Sequence, residues 1–143
     1  MTSQATEHLF WVPGLPGEVD SVAERAGELS ATAGQDGEIA SDLQFCLREA
    51  LNNVVEHALD GTGETVEVRM TVQRRGFDVT ISDSGRPMVR DDLRRRRPAI
   101  PPNAPALPER GFGLEIIHRC ADRVIYGRRG GMNVLNMSRT ARG

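Results

Sequence analysis

The sequence predicts an α+β domain, and three patterns carry that expectation. Val66, Val68, Met70 and Val72 alternate with polar residues, and Phe77, Val79 and Ile81 repeat the alternation after the turn Arg74-Arg75-Gly76, so the two runs form a hairpin of half-buried strands. Between residues 41 and 59, Leu43, Leu47, Ala50, Leu51, Val54, Val55 and Ala58 make one broad apolar stripe at helical spacing. A second strand pair, Val124 to Tyr126 and Asn133 to Met137, flanks the Gly-rich turn 128–131.

The remaining elements follow in chain order. Residues 6–12 (TEHLFWV) read as a short strand closed by Pro13-Gly14 and Pro16-Gly17. Val19, Val22, Ala23, Ala26 and Leu29 recur in steps of three and four and predict a first helix, with Gly34 placed to end it. The second helix has Ser41 or Asp42 as its expected N-cap and Asp60-Gly61 as its stop. Residues 84–110 break every periodicity and contain six of the eight prolines and the run Arg94 to Arg97. A loop of that length in a compact domain is typically a functional lid on the surface. A third helix is expected from Gly111, with Leu114, Ile117 and Ala121 on one line and Ile116 and Cys120 beside it.

Composition bounds the function. A length of 143 residues suits one domain, taken as 1–143, and 38% hydrophobic with 27% charged residues is ordinary globular usage. A net charge of −2 gives no general attraction for nucleic acid or anionic lipid, so neither is expected as a partner. The N-terminus lacks a basic end followed by a long apolar run, and a cytoplasmic protein is expected. Cys46 and Cys120 lie in apolar helical patterns without metal-ligand spacing and are read as free thiols.

Four residue groups point to chemistry. Glu49, Asn53 and His57 fall at successive four-residue steps on the side of the helix opposite its apolar stripe. An amide oxygen can ligate Mg²⁺ while a carboxylate one turn away takes a proton, although a plain solvated face gives the same pattern. Asp83 ends its strand on the buried phase, where a carboxylate needs hydrogen-bond donors. The amino group of an adenine is such a donor, with Gly85 giving the base room; turn-capping at Ser84-Gly85 is the alternative. Gly111-Phe112-Gly113 opens the third helix with unpaired N–H groups and the positive end of a helix dipole, suited to phosphate. The arginines 94–97 read as a solvated run balanced by Asp91 and Asp92.

In this order the groups resemble a known family. Glu49-Ala-Leu-Asn-Asn53-Val-Val-Glu-His57-Ala58 is similar to the N box of the GHKL (Bergerat-fold) ATP-binding superfamily. Ile81-Ser-Asp83-Ser-Gly85-Arg-Pro87 is similar to its G1 box and Arg110-Gly-Phe-Gly-Leu114 to its G2 box. Across nearly the whole chain the sequence resembles the anti-sigma regulatory factors, serine/threonine protein kinases of bacterial partner-switching systems. The resemblance implies a two-layer α/β sandwich: a mixed, mostly antiparallel sheet with helices on one face and ATP held between helices and lid. It implies Glu49 as base, Asn53 as Mg²⁺ ligand, and Asp83 as acceptor for the adenine amino group. Gly85, Arg110, Gly111, Phe112, Gly113 and Leu114 would line the nucleotide, with Asn52 as an auxiliary polar contact and His57 supporting helix and lid. The implied partners are a small antagonist protein that is phosphorylated and a sigma factor that is sequestered, with homodimerisation a family expectation. Arg86-Pro87 departs from the fuller G1 pattern, which has a further glycine in some relatives. A nucleotide-gated binding module without phosphoryl transfer is the rival reading. A detached half of a histidine kinase is disfavoured, since no helix pair with a phosphoacceptor histidine precedes the first strand.

Overall fold

The computed structural model describes residues 6–60, 62–87, 117 and 119–140. Its elements are β1 (Thr6–Pro13), α1 (Pro16–Thr32), α2 (Gly37–Asn53), a π-helical turn (Val54–Ala58), β2 (Thr65–Gln73), β3 (Gly76–Asp83), β4 (Arg123–Arg129) and β5 (Met132–Thr140). The strands form one sheet in the order β1-β2-β3-β5-β4. All four pairings among the described residues are antiparallel. The fold is α+β, two helices on one sheet, as the hairpin pattern predicts.

The period-two pattern sets which face is covered. Val66, Val68, Met70 and Val72 of β2, Phe77, Val79 and Ile81 of β3, and Leu135 and Met137 of β5 are all buried on the helix side. Against them lie Leu43, Cys46, Leu47, Ala50 and Leu51 of α2, continuous with Val19, Val22 and Ala26 of α1 in one apolar core. The opposite sheet face carries polar residues such as Arg69, which reaches Glu7 and Glu67 at 3.4 Å each. On that face Leu9 and Trp11 of the edge strand β1 stay exposed.

The first helix is closed by Gly34 as expected, and the second departs locally from expectation. Proline in its first turn starts α1, and the helix ends in a Schellman arrangement. There the Gln35 N–H donates to the Ser30 carbonyl at 3.0 Å and the Gly34 N–H to Ala31 at 3.1 Å, with Gly34 at φ +66°. The second helix begins at Gly37, with Asp36 at the cap, four residues before Ser41. Asp42 therefore caps nothing: it sits inside the helix, half-buried, and forms an ion pair with Arg139 of β5. Its neighbour Glu38 reaches the same guanidinium at 3.5 Å. After Asn53 the α-helical register gives way, and the Leu59 N–H donates to the Val54 carbonyl, five residues back, at 2.8 Å.

Leu47 is fully buried in the middle of the helix–sheet interface. Leu47→Ala removes its contacts and leaves a cavity, and chemical denaturation of the variant will show a loss of about 2–5 kcal/mol.

Candidate functional site

The candidate site lies at one end of the sheet, where β3 finishes, β5 begins, β4 finishes and the π-helical turn closes α2. Asp83 is opposite Asn133 in the β3–β5 ladder, and Asn133 is opposite Arg128 in the β5–β4 ladder. The three residues thus form one row across three strands, on the covered face. Asp83 and Asn133 are both only 3% exposed, the two most polar intrusions at the margin of the apolar core.

Hydrogen bonds account for that burial. Asp83 Oδ1 accepts from the Gly85 N–H at 2.8 Å and from Asn133 Nδ2 at 2.9 Å. Asn133 Nδ2 also lies 2.8 Å from the Arg86 carbonyl and 3.2 Å from the Gly85 carbonyl. Its Oδ1 accepts from the Tyr126 hydroxyl and from Arg128, each at 2.8 Å. Arg128 extends on to the Gly85 carbonyl at 3.2 Å. Both hydrogen bonds that the described residues give to Asp83 end on Oδ1.

The turn after Asp83 is fastened to the helix. The Arg86 N–H donates to the Ala58 carbonyl at 2.9 Å, and the Arg86 guanidinium lies 3.3 Å from Asp60. A Cβ on Gly85 would stand 2.4 Å from the Ala58 carbonyl oxygen and 2.9 Å from the Ala58 Cβ. Glycine is required here by backbone packing against the helix end, a reason separate from room for a base. The turn-capping reading of the Asp-x-Gly sequence is met, since Asp83 caps the turn through Oδ1.

Glu49 and Asn53 are half-buried and lie one α-helical turn, about 6 Å, apart along α2. Asn53 is the last α-helical residue before the π turn that carries Ala58, whose carbonyl meets the turn after Asp83. Asn52 is also half-buried. His57 lies in the π turn that follows Asn53. It is exposed and sits 3.7 Å from Glu56. Arg110, Gly111, Phe112, Gly113, Leu114, the Arg94–Arg97 run and nearly all of the lid expected at 84–110 lie outside the described residues.

No group of three His, Cys, Asp or Glu side chains among the described residues could hold a metal alone. Magnesium suits such a site, since it is commonly held by one or two protein oxygens and completed by water and substrate phosphates. Asn53 fits that donor set. Cys46 and Cys120 are free thiols, and Cys46 faces the Ile117 carbonyl at 3.9 Å. Burial is the main cause pushing both thiols up, which disfavours the reactive thiolate.

Asn133, Tyr126 and Arg128 escaped the sequence reading. Asn133 carries a visible signal, however: it is a polar residue in phase with Leu135 and Met137, the same anomaly that singles out Asp83.

With this geometry the comparisons with known proteins agree. Residues 12–139 match the family model of the histidine kinase-like ATPase domain, and the chain belongs to that family. ATP is the nucleotide that membership implies. The fold is similar to a crystal structure of the RsbU and RsbW domains of Rv1364c from Mycobacterium tuberculosis. That match has a TM-score of 0.65 at 15% identity and covers 96% of this chain and 34% of the other, so the chain spans about a third of that protein's length. No curated protein sequence matches. Among the described residues, no helix is long and apolar enough to cross a membrane.

Gly85→Ala forces the turn off the Ala58 carbonyl. Thermal or denaturant unfolding should register a loss of about 1–3 kcal/mol, the usual range for overpacking, and the Arg86 amide should lose its hydrogen-exchange protection.

Proposed function

We propose that the protein is an ATP-dependent serine/threonine protein kinase that acts as an anti-sigma factor in a bacterial partner-switching system, phosphorylating a small antagonist protein. The observation that carries this reading is the buried Asp83, with one oxygen held by the protein, joined through the Ala58 carbonyl to the helix that presents Asn53 and Glu49. Asp83 Oδ2 accepts the adenine amino group. Asn53 ligates Mg²⁺, which neutralises phosphate charge when bound. Glu49 takes the proton from the acceptor hydroxyl, the group that a pure binding protein has no use for. Phosphoryl transfer demands positioning and charge neutralisation above all, so these groups with a phosphate cradle suffice. The cradle belongs to Gly111 and Gly113, flanked by Arg110, Phe112 and Leu114.

The partners in this reading are the antagonist, bound for phosphorylation, and a sigma factor sequestered in the ATP-bound state, both in the cytoplasm. A domain likeness to a protein that joins RsbU and RsbW domains supports it, as do the three ordered motifs.

A second reading keeps nucleotide binding and omits transfer: ATP orders a docking surface. It is favoured by the Arg86-Pro87 pair, which stands where some relatives carry a further glycine, with Arg86 tied to Ala58 and Asp60.

Incubation with γ-labelled ATP and the antagonist encoded beside this protein separates the two. We expect label on a serine or threonine; nucleotide-dependent antagonist binding without label decides for the second reading. Glu49→Ala should keep ATP affinity within about threefold while slowing transfer by at least about 100-fold, the scale of a lost general base. Undiminished transfer by that variant removes Glu49 from catalysis. Asp83→Asn replaces an acceptor with an amide, and calorimetry should show ATP binding weakened by about tenfold or more, as expected for a hydrogen bond to a charged group.

A further inference from the structure

Building on the proposed ATP site, we infer that Asn133 is a positioning residue that sets nucleobase selectivity, holding Asp83 so that Oδ2 alone meets the base.

The argument rests on how many groups one amide satisfies. Asn133 Nδ2 has two hydrogens and three acceptors in range: Asp83 Oδ1 at 2.9 Å, the Arg86 carbonyl at 2.8 Å and the Gly85 carbonyl at 3.2 Å. It therefore joins the carboxylate and the turn that follows it in a single unit. The orientation of the amide is determined by its other end. Tyr126 and Arg128 both donate to Oδ1. Rotating the amide by half a turn would set Nδ2 against those donors and Oδ1 against three oxygens, so only one orientation is satisfied.

That arrangement has a consequence for the ligand. With Oδ1 engaged by Asn133 and the Gly85 N–H, the carboxyl plane is fixed and Oδ2 is an acceptor of defined direction. A purine with an amino group at position 6 donates to it. One lacking that group leaves it unpaired, and one with a carbonyl there opposes oxygen to oxygen, which is where discrimination is strongest. Asn133 touches none of this ligand in the proposed pose; it acts through Asp83. A residue that merely stabilised the fold would change affinity for all purine nucleotides alike.

The test compares Mg-ATP with the Mg complex of purine riboside triphosphate, which is ATP without the 6-amino group, by titration calorimetry. Wild-type protein is expected to prefer ATP by about tenfold or more, the contribution of a hydrogen bond to a charged group. In Asn133→Ala that preference should fall to within about twofold of unity, mostly through weaker ATP binding. A double variant, Tyr126→Phe with Arg128→Met, keeps Asn133 but removes both donors to its Oδ1. It should lose at least about threefold of the preference, and it carries the test alone if Asn133→Ala does not fold. Equal weakening toward both nucleotides, or an unchanged preference in the folded variants, overturns the inference while leaving the ATP site standing. Wild-type protein that binds neither nucleotide overturns the ATP site itself, and one that binds both equally removes Asp83 from base recognition.

Discussion

The seating of α2 on the sheet is the constraint from which the candidate site follows. Leu43, Leu47, Ala50 and Leu51 are buried against Val66, Val68, Met70, Val79 and Ile81, and closely packed apolar side chains leave the helix no freedom to slide or roll. Once that stripe is fixed, Glu49 and Asn53 have one available flank. The π turn then sets the Ala58 carbonyl where the chain leaving β3 must pass. Arg139 reinforces the placement from β5 through Asp42 and Glu38.

At the end of β3 the apolar core stops, and a polar row takes over. Asp83, Asn133 and Arg128 occupy positions that continue the buried phase of three adjacent strands, and burial of the first two is sustained by the hydrogen bonds to Asp83 Oδ1 and to both ends of the Asn133 amide. The row is graded: Asp83 and Asn133 are inside, and Arg128 is at the exposed edge with its charge in water. Membership of the histidine kinase-like ATPase family implies ATP as the ligand.

The π turn links local structure to this geometry. Val54, Val55 and Ala58 of the turn are buried in the core, and His57 is exposed. Such turns recur at functional sites because they aim a backbone group without ending the helix. Here the group aimed is the Ala58 carbonyl, and Gly85 is the residue that lets another backbone come up to it.

Much of this was legible in the residues. Strict alternation in β2 and β3 named the buried face, because side chains on a strand must alternate, and the stripe of α2 named its inner side for the corresponding helical reason. The same periodicity marked Asp83 as a carboxylate out of place and could have marked Asn133. Three features came only from the tertiary structure. The fate of Asp42 depended on Arg139, almost a hundred residues away. The π turn has no propensity signature and depended on which residues the core accepted. The clamp on Asp83 depended on strand order, since β5 lies between β3 and β4 only in space. Periodicity reports which way a side chain faces; which partner it finds there is decided by the packing of distant elements.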